Sequence, residues 1–131
     1  MANLTITRCR PVEVIEQFTG PIAEAVSEGN YVRLSTTTGF IELGNATDAA
    51  ESRSGGLAIN GGVAREAVTL VKKGLLDVGN ALSALAYDAD VYLSDTDGKL
   101  ADAAGTVSKV VGTVVAGYGS TTPDKLLRVN F

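Results

Sequence analysis

Four aspartates, Asp88, Asp90, Asp95 and Asp97, lie within one short stretch and are the side chains best spaced to do chemistry. Asp95-Thr96-Asp97-Gly98 has the alternating acidic residues and glycine with which a calcium loop begins. A full loop needs further oxygen ligands and a distal Glu, whereas Lys99 and Leu100 follow here, so the segment reads as a solvated hairpin turn. Paired carboxylates also hydrolyse sugars, but aromatic residues make up only 5% of the chain, which leaves little for a sugar to stack on. There is no His, and with it goes the commonest general base and metal ligand.

The remaining candidates are weaker. Cys9 lies between Arg8 and Arg10, cations of the kind that lower a thiol pKa. No His completes a nucleophilic pair, and the residue reads as an incidental thiol on a flexible arm. As the one cysteine, it cannot form an intramolecular disulfide, which fits a reducing compartment. Gly55-Gly56 and Gly61-Gly62 form neither a dinucleotide fingerprint nor a phosphate loop. No serine sits in a nucleophile elbow. Lys72-Lys73 reads as a solvated strand end, and Tyr31, Tyr87, Tyr92 and Tyr118 as core-edge or interface residues. The expectation is a non-enzymatic chain with no catalytic residue, no cofactor and no metal.

The elements that would carry these residues follow from composition and pattern. A chain of 131 residues is the usual size of one domain and can bury a core without metals or disulfides. With 45% apolar residues and few aromatics, that core must be built of Val, Leu, Ile and Ala. Net charge is −4 and no basic stripe is visible, unlike a nucleic-acid binder, whose affinity rests on phosphate contacts. No signal peptide is evident, and no apolar run approaches the ~20 residues that span a bilayer. A soluble protein made in a cytoplasm is expected, without nucleic-acid or membrane partners. The slightly positive mean hydropathy suggests apolar surface hidden in an oligomer.

An internal repeat organises the chain. Tyr31-Val32-Arg33-Leu34-Ser35-Thr36-Thr37-Thr38-Gly39-Phe40-Ile41 parallels Asp90-Val91-Tyr92-Leu93-Ser94-Asp95-Thr96-Asp97-Gly98-Lys99-Leu100. Gly55-Gly56-Leu57-Ala58 parallels Gly112-Thr113-Val114-Val115, and Val68-Thr69-Leu70-Val71 parallels Leu126-Leu127-Arg128-Val129. The implied copies are residues 20–71 and 79–129. Two copies are too few for a solenoid, so a pseudo-twofold domain whose halves share one core is expected. Each copy offers an alternating strand, a turn, a short return strand, an Ala/Asp/Thr/Gly-rich loop and two closing strands. Asn80–Tyr87 suits one or two turns of helix capped by Asn80. Pro123 precedes the last strand, where a missing N–H does no harm. Val12–Phe18 fits either period and is assigned to a strand, since Pro11 and Gly20-Pro21 bracket it. Eight or nine short strands with turn signals between them indicate a mainly β fold, a small β-barrel or sandwich. Residues 1–11 form an extended N-terminal arm outside the repeat, and residues 12–131 a single barrel-like domain.

Several short runs resemble the capsid cement, or head decoration, proteins of tailed phages. They are Gly74-Leu75-Leu76-Asp77-Val78-Gly79-Asn80-Ala81-Leu82, Asp90-Val91-Tyr92-Leu93-Ser94-Asp95, Val111-Gly112-Thr113-Val114-Val115 and the closing Lys125-Leu126-Leu127-Arg128-Val129. The resemblance spans roughly residues 12–131 and is one of pattern, without a catalytic signature. The arm and the clear duplication do not map onto that family. What it implies is a virion protein that binds the outside of an icosahedral shell. Its partner would be the major capsid protein, its form on the shell a homotrimer, and its effect stabilisation against internal DNA pressure. Leu4, Ile6, Arg8 and Arg10 of the arm are the expected capsid contacts, and removing residues 2–11 is expected to leave the fold intact. The competing expectation is a tail or fibre attachment module that binds protein or glycan.

Overall fold

The computed structural model describes residues 2–53, 55–117 and 125–131. It is mainly β, as the alternating Val/Leu pattern requires. The strands are β1 (Arg10–Pro21), β2 (Tyr31–Leu34), β3 (Ile41–Leu43), β4 (Gly55–Ala58), β5 (Ala67–Asp77), β6 (Asp90–Leu93), β7 (Leu100–Ala101), β8 (Val110–Ala116) and β9 (Lys125–Asn130); one helical turn, α1 (Ala49–Ser52), precedes β4. All pairings between these strands are antiparallel, and together they form one curled sheet in the order β3-β2-β4-β5-β9-β8-β6-β7, with β1 paired to β5 off this path.

That order carries the duplication. The first half runs β3-β2-β4-β5 and the second runs β7-β6-β8-β9. The two hairpins agree residue for residue: Leu34 faces Ile41 and Leu93 faces Leu100. Their turns each hold a glycine at positive φ, Gly39 at 75° and Gly98 at 71°, a conformation that costs glycine nothing. Farther along, the register differs by one from the sequence match. Val32 faces Gly56 and Val91 faces Gly112, so Gly56, not Gly55, is the counterpart of Gly112.

The β1–β5 ribbon is the spine of the molecule. β1 runs along one edge of β5 over its whole length, from Ala67 to Asp77. β4, at Leu70–Val71, and β9, at Lys73–Leu76, therefore share the opposite edge, one after the other. Between them the ribbon is irregular, with register shifts on either side of Glu16. Gly74 has φ 148°, and a Cβ there would collide with the Glu13 carbonyl oxygen. A bulged ribbon bends and twists more than a regular one, and this bend lets the two halves diverge.

The halves do not share their cores symmetrically. A main cluster draws on both, with Tyr31, Leu57 and Val71 from the first and Val91, Leu93, Leu100, Val114, Leu127 and Val129 from the second. A smaller cluster, Ile22, Val26, Val32, Ile41, Ala58, Val68 and Leu70, belongs to the first half alone. The halves share the main core, but the pseudo-twofold symmetry does not extend to it: the matched residues Val32 and Val91 lie in different clusters. Helical structure is also placed differently. Asn80–Tyr87 forms consecutive turns, with Ser83 N–H donating to the Asn80 carbonyl and Leu85 N–H to that of Leu82. The helical turn is Ala49–Ser52, in the segment expected to be a loop, capped by the Asp48 side chain accepting from Glu51 N–H at 2.8 Å.

Residues 2–9 are fastened to the body. Asn3 bridges Ala101 antiparallel, Leu4 N–H donates to the Leu100 carbonyl at 2.8 Å, and Asp102 N–H donates to that of Ala2. This covers the β7 edge. At the far end Ile22 bridges Ile41, and Ala23 N–H donates to the Ile41 carbonyl at 2.9 Å, covering part of β3. Covered edges do not template pairing with another chain.

Candidate interaction surface

β1 is built unlike every other strand. Of its twelve residues only Gly20 is buried. Val12, Val14 and Phe18 are each about 40% exposed, and Ile15 is 70% exposed. None of them enters either hydrophobic cluster. β1 pairs with β5 on one side, and among the described residues no backbone pairing meets its other edge. A long apolar strand with an open edge is a ready template for association.

Two clefts flank the ribbon. One, of about 420 Å³, is lined by Glu13, Ile15, Lys73, Leu75, Arg128 and Asn130. The other, of about 150 Å³, is lined by Glu16, Phe18, Leu34, Leu70 and Lys72. Leu34 is 38% exposed and extends the apolar patch beyond Phe18. Lys72 and Lys73 are therefore not a strand end. They sit mid-strand beside the bend, Lys73 paired with Glu16 across the ribbon, and they line the two clefts with Glu13 and Glu16.

The four arm residues named from the sequence fall into separate roles. Leu4 and Ile6 pack against the main cluster. Arg8 pairs with Asp77, with Nη2 3.0 Å from Oδ2 and both Nε and Nη2 donating to Oδ1, and its side chain is 41% exposed. Arg10 is exposed and opens β1.

Cys9 corrects the reading of a thiol on a flexible arm. It is buried, at 1% exposure, in the main cluster, and its N–H donates to Glu28 Oε1 at 2.6 Å. Burial, reinforced by the nearby carboxylates of Glu28 and Asp77, pushes its thiol from the ordinary value of 9.0 up to about 12. The flanking arginines do not reverse that sign, because desolvation opposes the thiolate.

The aspartates are committed to turn structure. Asp95 accepts from Thr106 N–H and Oγ1–H, each at 2.8 Å. Asp97 accepts from the Asn45 side chain, tying the turn of the second half to the first. Asp88 adopts φ 66° in the loop before β6, and Asp90 begins that strand. Tyr31 lies inside the core, not at its edge. It is fully buried, its hydroxyl donates to the Ser52 carbonyl at 2.8 Å, and its ring centroid lies 5.5 Å from that of Phe131. Tyr87 is 54% exposed, with Lys125 Nζ 5.1 Å above its ring. Tyr118 and Pro123 lie outside the described residues.

Sequence reasoning missed the distinctive surface. It treated Val12–Phe18 as one strand among equals, yet the signal was present. Val12, Ile15 and Phe18 recur every third residue, a spacing foreign to a strand half-buried on a core and natural to a bulged one. Comparison of the chain with models of known protein families and with curated proteins finds no match.

Proposed function

We propose that this protein is a structural virion component, a decoration or cement protein that coats the outside of an icosahedral phage capsid and stabilises it. The observation that carries the reading is β1, twelve residues long, with four exposed apolar side chains that serve no core of their own chain. Exposed apolar surface of this kind marks an assembly component. The short sequence runs that resemble cement proteins supply the word capsid, and they suggest three-fold grouping on the shell.

The rest of the molecule suits passive clamping. Asp95 and Asp97 are spent on turn contacts, the thiol is buried, and the arm is fastened to the body. Arg8 and Arg10 remain at the surface of the arm face and are its offered contacts to the major capsid protein, while Leu4 and Ile6 hold that face in place. Weak contacts from one protomer to several capsid subunits would sum through high effective concentration.

The test is co-sedimentation of the purified protein with undecorated, expanded phage heads. Saturation at a fixed number of copies per capsid subunit supports the reading. Failure to bind heads of the parent phage overturns it and leaves attachment through a tail or fibre as the reading to pursue.

A further inference from the structure

The open edge of β1 admits a more specific reading, which rests on the protein being an assembly component and names what covers that edge. We infer that β1 pairs antiparallel with β1 of a second copy, across a two-fold axis at Ile15.

Elimination is the first argument. The outer strands of the sheet are short and met by their own chain, β7 by Asn3 and Leu4 and part of β3 by Ile22 and Ala23. Among the described residues β1 is the long strand with an open edge, so the edge that a second copy offers to it is its own β1. Two identical antiparallel strands related by a two-fold axis make a closed, isologous contact.

Side-chain pattern is the second. With Ile15 on the axis, Val12 stands opposite Phe18, Val14 opposite Glu16 and Glu13 opposite Gln17. Val12 meets Phe18, Ile15 meets its own copy, and no carboxylate faces another. A slip of one residue in one direction sets Glu13 against Glu16, and like charges directly opposite destabilise a pair; a slip in the other direction sets Glu16 against Ile15 and Glu13 against Phe18. The residue placed on the axis is also the most exposed apolar side chain of the strand, at 70%.

Charge is the third. The chain as a whole carries −4, which repels one copy from another. The ribbon does not share that excess: Arg10, Lys72 and Lys73 balance Glu13, Glu16 and Asp77, three positive against three negative. Copies that approach through the ribbon therefore do not bring the negative excess of the chain face to face.

Finally, the strand limits its own pairing. Pro11 and Pro21, at either end of the strand, lack an N–H to donate. Prolines so placed confine a ladder to the stretch between them. Once two copies have paired, the edge is consumed, so the product is a dimer and not a fibre. This contact is two-fold and separate from any three-fold grouping on a shell.

The experiment is sedimentation equilibrium on the full chain, as wild type and as the variants Ile15→Glu, Ile15→Lys and Ile15→Cys. A wild-type dimer is expected. Ile15→Glu and Ile15→Lys are each expected to be folded monomers by circular dichroism, and mixing the two is expected to restore a dimer. Ile15→Cys is expected to form a covalent dimer under mild oxidation, with Cys9 buried and silent. A monomeric wild type, or an Ile15→Glu variant that stays dimeric, overturns the inference. Head binding is scored separately on the same proteins. A dimer that ignores heads sinks the capsid reading alone, and a monomer that saturates heads sinks this inference alone.

Discussion

Gly56 and Gly112 occupy the same place in the two halves of the sheet, each facing a valine of the neighbouring strand and each pressed against the strand that follows. A Cβ on Gly56 would lie 2.8 Å from the Val71 carbonyl oxygen and 2.6 Å from Leu70 Cδ1, and one on Gly112 would collide with the Arg128 carbonyl oxygen. Backbone cannot swing aside as a side-chain tip does, so alanine at either site forces strands apart. Gly56→Ala and Gly112→Ala are each expected to lower stability by about 1–3 kcal/mol, the usual cost of overpacking. Gly39→Ala is the control. It has open space around it but φ 75°, and it should lose only the left-handed penalty of about 1 kcal/mol. Denaturant melts of the three variants check the order, and equal losses would remove the close-approach argument.

How much of this was legible beforehand depended on whether a feature was local. The hairpins were readable because Gly39 and Gly98 announce their turns and the strands beside them alternate. The duplication was readable because both halves keep those turns. The one-residue error at Gly55 arose because two adjacent glycines align equally well by type, and only the register facing Val32 separates them. The division into two clusters was not readable. It depends on the bend near Gly74, where β5 passes from β4 to β9, and neither neighbour is close in sequence. α1 was hidden in an Ala-rich loop, although Asp48 three residues before Glu51 is a capping signal. The surface on β1 was half visible in its three-residue spacing, but its exposure depends on what the rest of the chain leaves uncovered.

The arm is part of the folded body, contrary to the expectation that residues 2–11 are dispensable to it. Leu4 and Ile6 cover the main cluster, Asn3 and Leu4 close the β7 edge, and Arg8 holds the end of β5 through Asp77. Deleting residues 2–8 is expected to cost about 2–4 kcal/mol from two partly buried side chains and the lost hydrogen bonds. Thermal melting of the truncated chain measures it. An unchanged Tm would show that the arm contributes nothing to the fold, and only then would loss of head binding on truncation report a direct capsid contact.

Alkaline pH should unfold the protein earlier than its exposed groups would. Both Cys9 and Tyr31 are held neutral by burial, with values raised from 9.0 and 10.0 to about 12. The folded state binds these protons more tightly than the unfolded chain does. The stability they contribute is therefore complete below about pH 9 and is lost as pH rises through that value towards 12. Cys9→Ala and Tyr31→Phe should each flatten the loss between pH 9 and 12. At neutral pH, Tyr31→Phe should still cost about 1 kcal/mol for the hydrogen bond to Ser52. A thiol reagent should label Cys9 only after denaturant is added. Rapid labelling of the native protein would contradict the buried site.

Asp95 and Asp97 give the last prediction, because their geometry decides between a turn and a cation site. Both Asp95 oxygens face Thr106, one taking its N–H and the other its hydroxyl. Asp97 reaches into the first half of the molecule to accept from Asn45. Oxygens oriented towards donors in this way would have to give up those bonds to coordinate a cation. Calcium is accordingly expected to leave Tm unchanged. The double variant Asp95→Asn, Asp97→Asn should lower stability by about 1–3 kcal/mol, since charge-assisted hydrogen bonds are replaced by weaker ones. Melts with and without calcium, on wild type and variant, read both effects. A rise in Tm with calcium that vanishes in the double variant would turn the hairpin into a metal site, whereas loss of stability alone leaves it as the tie between the two halves.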